Sequence, residues 1–299
     1  MAAFWQWFVA AGTILFVVWC VWITWWATKQ GPQNVADDEV VGHKWDGDLE
    51  EWNNPAPRWW LYLYFITLGW AVLYMVLYPG VGAFEGALGW SQEGQYEEEM
   101  AAARERYEPI YERFAAMSFE ERMADEDAMR LGASLYASYC TTCHGSDARG
   151  AVGYPNLTDD AWNWGSSEDQ IYSTLMNGRT AVMVSQTALI GGEEGIENMT
   201  NYVLSLSGAV EADEAAQAMQ PTFLTYCAAC HMPDGTGNQL LGAPNLTDGV
   251  WLYGGSKEDV SYTLANGRGG QMPAHGELLG ENRARILAAY VRSLSGGSE

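Results

Sequence analysis

The chain has 299 residues, 48% of them hydrophobic, and carries 38 acidic against 15 basic side chains, a formal charge of -23. That length allows two or three small domains, and that charge excludes nucleic-acid binding through a basic face. The acidic excess suits either general solubility or attraction of a basic partner.

No charged side chain occurs from Met1 to Thr28, and Lys29 is the first. The run is long enough to span a bilayer as a helix, so residues 1–30 are expected to form transmembrane helix 1. A secretory signal peptide would need a basic start and a small-residue cleavage site, and neither is present. Trp22, Trp25 and Trp26 form an aromatic belt at the far end. Residues 31–57 are polar and acidic, and a second charge-free run extends from Trp59 to Phe84. We expect transmembrane helix 2 over 58–85. Lys29, Lys44 and Arg58 are the basic residues near these runs, which places the 31–57 loop in the cytoplasm and both termini outside. Cys20 lies within the first apolar run and reads as a small buried hydrophobe. Residues 86–125 form an acidic, helix-prone linker with opposite charges three and four apart.

From about Asp125 the sequence repeats. Cys140, Cys143 and His144 recur as Cys227, Cys230 and His231. The stretch Pro155-Asn156-Leu157-Thr158-Asp159 recurs as Pro244-Asn245-Leu246-Thr247-Asp248, Trp162 as Trp251, and Asn177-Gly178-Arg179 as Asn266-Gly267-Arg268. Met183 recurs as Met272, and Tyr202–Gly208 as Tyr290–Gly296. The repeat predicts two small domains, 126–209 and 210–299. Helical spacing over Ala128–Tyr139 and Ala215–Tyr226 leads into each motif, and Pro221 starts or kinks the second of these helices. Asn198–Leu206 and Arg283–Leu294 read as terminal helices, which in small c-type cytochromes cross the first helix of their domain.

Cys-x-x-Cys-His is the attachment motif of haem c. The two thiols form thioethers to one porphyrin edge, and the adjacent His becomes an iron ligand. A zinc site would need two more Cys or His ligands per unit, and these are missing. Covalent haem is therefore expected on Cys140, Cys143, Cys227 and Cys230, with His144 and His231 on the irons. A Met thioether as sixth ligand raises the potential and closes the site to substrate. The repeat nominates Met183 and Met272; Met176 and Met199 are alternatives to Met183. Pro273 follows Met272, whereas Val184 follows Met183. Arg179 and Arg268 precede the Met residues and have the planar fork that suits a haem propionate; the alternative is an exposed Arg after an Asn-Gly turn. Trp162 and Trp251 pack either on the haem edge or in the core. His275 could replace Met272, titrate beside a propionate, or be an ordinary surface residue. His43 falls in the loop on the opposite side of the membrane.

The stretch Gly42–Pro55, leading through Arg58-Trp59-Trp60 into the second apolar run, resembles the membrane anchor of subunit III of the cbb3-type cytochrome c oxidases (CcoP or FixP). With the tandem motifs, that resemblance covers nearly the whole chain. It implies an all-α protein with two N-terminal transmembrane helices followed by two tandem small class I cytochrome c domains, holding two haem c groups. It further implies a multi-pass protein of the bacterial inner membrane with periplasmic haem domains. Such a subunit takes electrons from a donor cytochrome c and passes them through the monohaem subunit II to subunit I, which reduces oxygen and pumps protons. Other readings are a stand-alone tethered dihaem carrier, a dihaem peroxidase and a gas sensor. The loop and second span disfavour the first of these, a Met in each repeat disfavours the second, and the third would rest on a labile Met183.

Overall fold

A computed structural model describes residues 2–29, 39–52 and 57–295. Asn53, Asn54 and Pro55 of the anchor-like stretch and Gly296 of the repeat lie outside the described residues. The described chain is mostly helical and divides into two units, Met1–Glu105 and Arg106–Glu299.

The first unit opens with α1, Ala2–Lys29. A hairpin follows, β1 (Val40–Trp45) against antiparallel β2 (Leu49–Trp52). Its turn uses Asp46 and Gly47, both with positive φ, as Asp-Gly hairpin turns do. Lys44 and Glu50 face each other in register and pair at 2.6 Å, on the surface where such a pair is worth little. Helix α2, Arg58–Leu77, buries none of its residues. At 28 and 20 residues α1 and α2 reach about 42 and 30 Å, enough for a hydrocarbon core of about 30 Å. Aqueous burial cannot account for so much uncovered Trp, Phe and Leu on them. The turn after α2 brings Gly82 against the backbone of Gln6, so the start of α1 and the end of α2 lie at one end of an antiparallel pair.

Next come α3 (Gln92–Ala115), within which the two units divide, and α4 (Phe119–Ala124). The first repeat contains α5 (Glu126–Tyr139), α6 (Thr141–His144), α7 (Glu168–Asn177), β3 (Arg179–Met183) and α8 (Gly192–Leu206). The second contains α9 (Glu214–Gln217), α10 (Gln220–Tyr226), α11 (Ala228–His231), α12 (Lys257–Asn266), β4 (Arg268–Met272) and α13 (Gly276–Leu294). The helix expected over 215–226 is broken in two, and Pro221 stands in the first turn of α10, where its missing N–H costs nothing.

The hairpin β1–β2 and the ribbon β3–β4 correct the all-α expectation. Strands β3 and β4 pair antiparallel, with Arg179 opposite Met272 and Met183 opposite Arg268. A partner almost ninety positions away forms this ribbon, so local periodicity carries no sign of it.

The first and last helices do cross, but the crossing is exchanged between the repeats. The first core joins Leu135 and Tyr136 of α5 and Ile171 and Leu175 of α7 to Leu279, Leu287 and Val291 of α13. The second core joins Met199 and Val203 of α8 to Phe223 of α10 and Val260 and Leu264 of α12. Tyr136 meets Tyr290 and Tyr202 meets Phe223, with ring centroids 5.8 and 5.5 Å apart. A third cluster of Phe114, Ala128 and Ile286 ties α3 to α5 and α13.

Candidate haem sites

Each motif sits where one helix ends and a single turn follows. Cys140 caps α5 and begins α6, and its carbonyl accepts from the amides of Cys143 and His144 at 3.2 and 3.0 Å. Cys227 does the same for Cys230 and His231 at 3.1 and 2.9 Å. That turn brings the two cysteines and the His of each motif within one helical turn of one another. Cys143 and Cys230 are exposed, while Cys140 and Cys227 are half-buried. Burial, with the neighbouring Cys143, pushes the Cys140 thiol up to about 11; burial and Cys230 raise Cys227 in the same direction.

His144 and His231 are both buried. Burial lowers each imidazole below its ordinary value, against the carbonyls of Pro155 and Pro244, which favour the charged form. In both, Nδ1–H donates to that proline carbonyl at 3.1 Å. The ring is therefore neutral, with its Nε2 lone pair turned away from the backbone, as an iron ligand requires. The proline carbonyl is held in place by the next residue: Asn156 Oδ1 accepts from the amide and hydroxyl of Thr158, and Asn245 Oδ1 does so from Thr247. The recurrence of Pro-Asn-Leu-Thr was visible in the sequence, but its role as an imidazole holder was not.

Met272 packs against the first core with Cys140, and Met183 against the second with Cys227. Keeping each Met with the motif of its own repeat does not match this packing. Each strand carries an Arg at one end and the Met for the opposite core at the other. Met176 also packs on the first core, and Met199 is fully buried in α8 in the second.

Arg179 donates from Nε to Thr174 Oγ1 (2.9 Å) and from Nη2 to the Gln170 carbonyl (3.2 Å), and lies over the Trp164 ring. Arg268 repeats this with Thr263 (2.9 Å) and the Asp259 carbonyl (3.5 Å), lying between Tyr253 and Tyr262. Among the described residues, Nη1 of both arginines has no hydrogen-bond acceptor. Trp162 packs on the first core and Trp251 on the second. Trp162 Nε1 is buried with no hydrogen-bond partner among the described residues, a donor left for an acceptor those residues do not supply. Thiols, neutral imidazoles, thioethers and this orphaned donor together fit haem c and do not fit zinc.

The repeats also interlock. The Gly153 amide donates to the Leu252 carbonyl at 2.8 Å, and Gln239 Nε2 to the Trp162 carbonyl at 3.1 Å. Three further differences between the pockets bear on the ligands. Tyr136, which donates to the Gly145 carbonyl at 2.8 Å, is replaced by Phe223. Gly145 is replaced by Met232, and His275 stands where the first repeat has Gln186.

Residues 37–85 match the family described as the N-terminal domain of cytochrome oxidase-cbb3, FixP. Residues 127–203 and 214–291 each match cytochrome c oxidase, cbb3-type, subunit III. The chain is 42% identical to the cbb3-type cytochrome c oxidase subunit CcoP of Rubrivivax gelatinosus, over 97% of this chain and 95% of that protein. It is 38% identical to subunit FixP of Azorhizobium caulinodans, over 86% and 93%, and 37% identical to subunit CcoP of Cereibacter sphaeroides, over 90% and 98%. With haem-binding motifs in both repeats and this similarity running from the apolar helices to the last one, the chain belongs to the subunit III (CcoP/FixP) family of the cbb3-type cytochrome c oxidases.

Proposed function

We propose that the chain is the electron-entry subunit of its oxidase, carrying two haem c groups. One is attached to Cys140 and Cys143 with His144 and Met272 as iron ligands. The other is attached to Cys227 and Cys230 with His231 and Met183. The haems supply one-electron transfer; the polypeptide attaches them, fixes the imidazole tautomer through Pro155 and Pro244, and closes the sixth position with a thioether. Arg179 and Arg268 offer Nη1, and Trp162 its Nε1, to propionates. With both sixth positions filled, no site remains for oxygen, so its reduction falls to subunit I. Electrons arrive from a donor cytochrome c and leave through subunit II.

Helices α1 and α2 are the two membrane spans. Gly82 beside Gln6 supports an antiparallel pair, which puts the start of the chain and the haem units on one side. The loop with Lys29, Lys44 and Arg58 then faces the cytoplasm and the haem units the periplasm. The observation that carries the reading is the pair of buried imidazoles, each following Cys-x-x-Cys and each bonded through Nδ1 to a proline carbonyl.

A tag on this chain tests it. Complex drawn gently from native membranes should contain haem b besides haem c, three haem c per copy of this chain (two its own and one of the monohaem subunit II), and reductant-driven oxygen uptake. Haem c without uptake would overturn the oxidase assignment. The crosswise ligation has its own test. With Cys140 and Cys143 changed to Ala, so that only the second haem is attached, Met183→Leu should abolish its Met-to-iron absorption band and Met272→Leu should leave it.

A further inference from the structure

We propose that His275 is a second ligand for the iron held by His144, taking the sixth position when the Met272 thioether leaves it. The inference rests on the reading that Met272 and His144 serve one haem.

Three observations converge on this residue. First, its place: His275 follows Met272 by three residues, through Pro273 and Ala274, and its amide donates to the Leu175 carbonyl at 2.9 Å. Leu175 belongs to the first core, so the residue is anchored to the pocket that receives Met272. Second, its tautomer: Nδ1–H donates to the Pro273 carbonyl at 2.9 Å. That is the arrangement of His144 with Pro155 and His231 with Pro244, and it leaves Nε2 with a free lone pair. Third, its backbone setting: α13 is broken at Gly280, whose φ of 70° is not helical. The turn carrying His275 is thus set off from the longer helix that follows it, and is itself held to the first core by the buried Leu279.

The other pocket supplies the contrast. Gln186 occupies the equivalent place, and its amide donates to the Leu264 carbonyl at 2.8 Å. Its Nε2 donates to the Val184 carbonyl at 2.8 Å, and its Oε1 is buried without a partner. An amide oxygen is a poor iron ligand where imidazole is a good one. The first site thus has an imidazole three residues beyond its Met where the second has an amide.

In the exchange the Fe–Sδ bond breaks and an Fe–Nε2 bond forms. The proton stays on Nδ1 and no electron moves. A haem with two imidazoles lacks the thioether that raises the potential, so the exchange converts the first site from an acceptor of electrons to a weaker one.

The test uses the full-length haem-loaded protein and Leu in place of Met, which keeps volume without ligating. Electron paramagnetic resonance and carbon monoxide binding to the reduced protein are the readouts. Met272→Leu should remain low-spin, bind no carbon monoxide and show a lowered potential for one haem. Met183→Leu should become high-spin at one haem and bind one carbon monoxide per chain. Met272→Leu combined with His275→Gln should behave like Met183→Leu. Carbon monoxide binding by Met272→Leu alone overturns the proposal, as does a low-spin double variant. A background with Cys227→Ala and Cys230→Ala, where only the first haem is attached, keeps the two readings apart. There, a spectrum unmoved by Met272→Leu removes the crosswise ligation itself, whereas a high-spin spectrum removes only His275.

Discussion

Gly178 lies against the carbonyl of Met272: a Cβ there would stand 2.4 Å from that oxygen, and a Cβ on Gly267 would stand 2.3 Å from the carbonyl of Met183. Both glycines also have positive φ, 70° and 76°. The Asn-Gly-Arg repeat is therefore explained by approach as well as by turn geometry. Each glycine ends the helix of one repeat and lets the Met strand of the other pass across it.

Replacing Gly178 with Ala should thus act on the opposite repeat. The backbone cannot yield cheaply, and the positive φ adds strain of about 1–3 kcal/mol. We expect a loss of at least about 2 kcal/mol in stability together with a weakened Met-to-iron band at the first haem. Gly267→Ala should weaken the band at the second. Melting followed by circular dichroism, with absorption of the oxidised protein, checks both. A band that shifts at the haem of the same repeat as the glycine would contradict the crosswise packing.

The exchanged cores make the repeats interdependent. Residues 106–209 alone lack Leu279, Leu287 and Val291, three buried side chains of the first core. Each is worth about 1.5–3 kcal/mol, so together they approach the stability of a whole small domain, about 5–15 kcal/mol. The fragment should show no cooperative unfolding transition, while 106–299 should melt in one. A fragment 106–209 that melts sharply would mean that each repeat builds its own core.

The sequence made some of this legible and hid the rest for a definable reason. Cys140, Cys143, His144 and their counterparts were readable because covalent chemistry fixes their spacing. The pairing of Met272 with the first core was not. In two similar repeats, Leu287 of α13 and Val203 of α8 present the same apolar pattern to either partner, so periodicity is degenerate between own and exchanged packing. The ribbon escaped for a related reason: β3 and β4 are five residues each and exist only through each other. The Pro155 carbonyl escaped because a backbone oxygen has no residue type to betray it.

Arg122 also escaped, since a charged residue in an acidic linker reads as exposed. It is 1% exposed and uses its whole fork. Nε donates to the Phe114 carbonyl (3.0 Å), Nη2 to those of Ala115 (3.1 Å) and Met117 (2.7 Å), and Nη1 to Glu168 (2.8 Å) and the Arg285 carbonyl (3.2 Å). It thereby caps the carbonyls that end α3 and ties them to α7 and α13. Arg122→Ala should cost about 3–5 kcal/mol, because the carbonyls of Phe114, Ala115, Met117 and Arg285 lose their buried donor and Glu168 keeps only the longer contact with Arg285, 3.5 Å. Arg122→Lys should recover little, having one compact donor head where five directed bonds are needed. Denaturant midpoints of the haem-loaded proteins decide; a Lys variant as stable as the wild type would reduce Arg122 to a simple charge.

Met232 offers the opposite experiment, a stabilising change. It follows His231 as Gly145 follows His144, yet it keeps the glycine conformation, with φ 65° and ψ 156° beside 79° and 158° at Gly145. That region is nearly closed to residues with a Cβ and costs about 1–3 kcal/mol. The side chain is 40% exposed, so its packing returns little of this cost. Glycine relieves the strain but loses about 0.5–1 kcal/mol through the freer unfolded chain. Met232→Gly should therefore gain about 1 kcal/mol, or roughly 2–4 °C in melting temperature for a unit of this size. The reverse change, Gly145→Met, should lose more than that gain, because its Cβ would also stand 2.9 Å from Asp147 Oδ1. Scanning calorimetry of the two variants measures the asymmetry directly. If Met232→Gly were destabilising, the exposed thioether would have to make a contact worth more than the backbone strain it imposes.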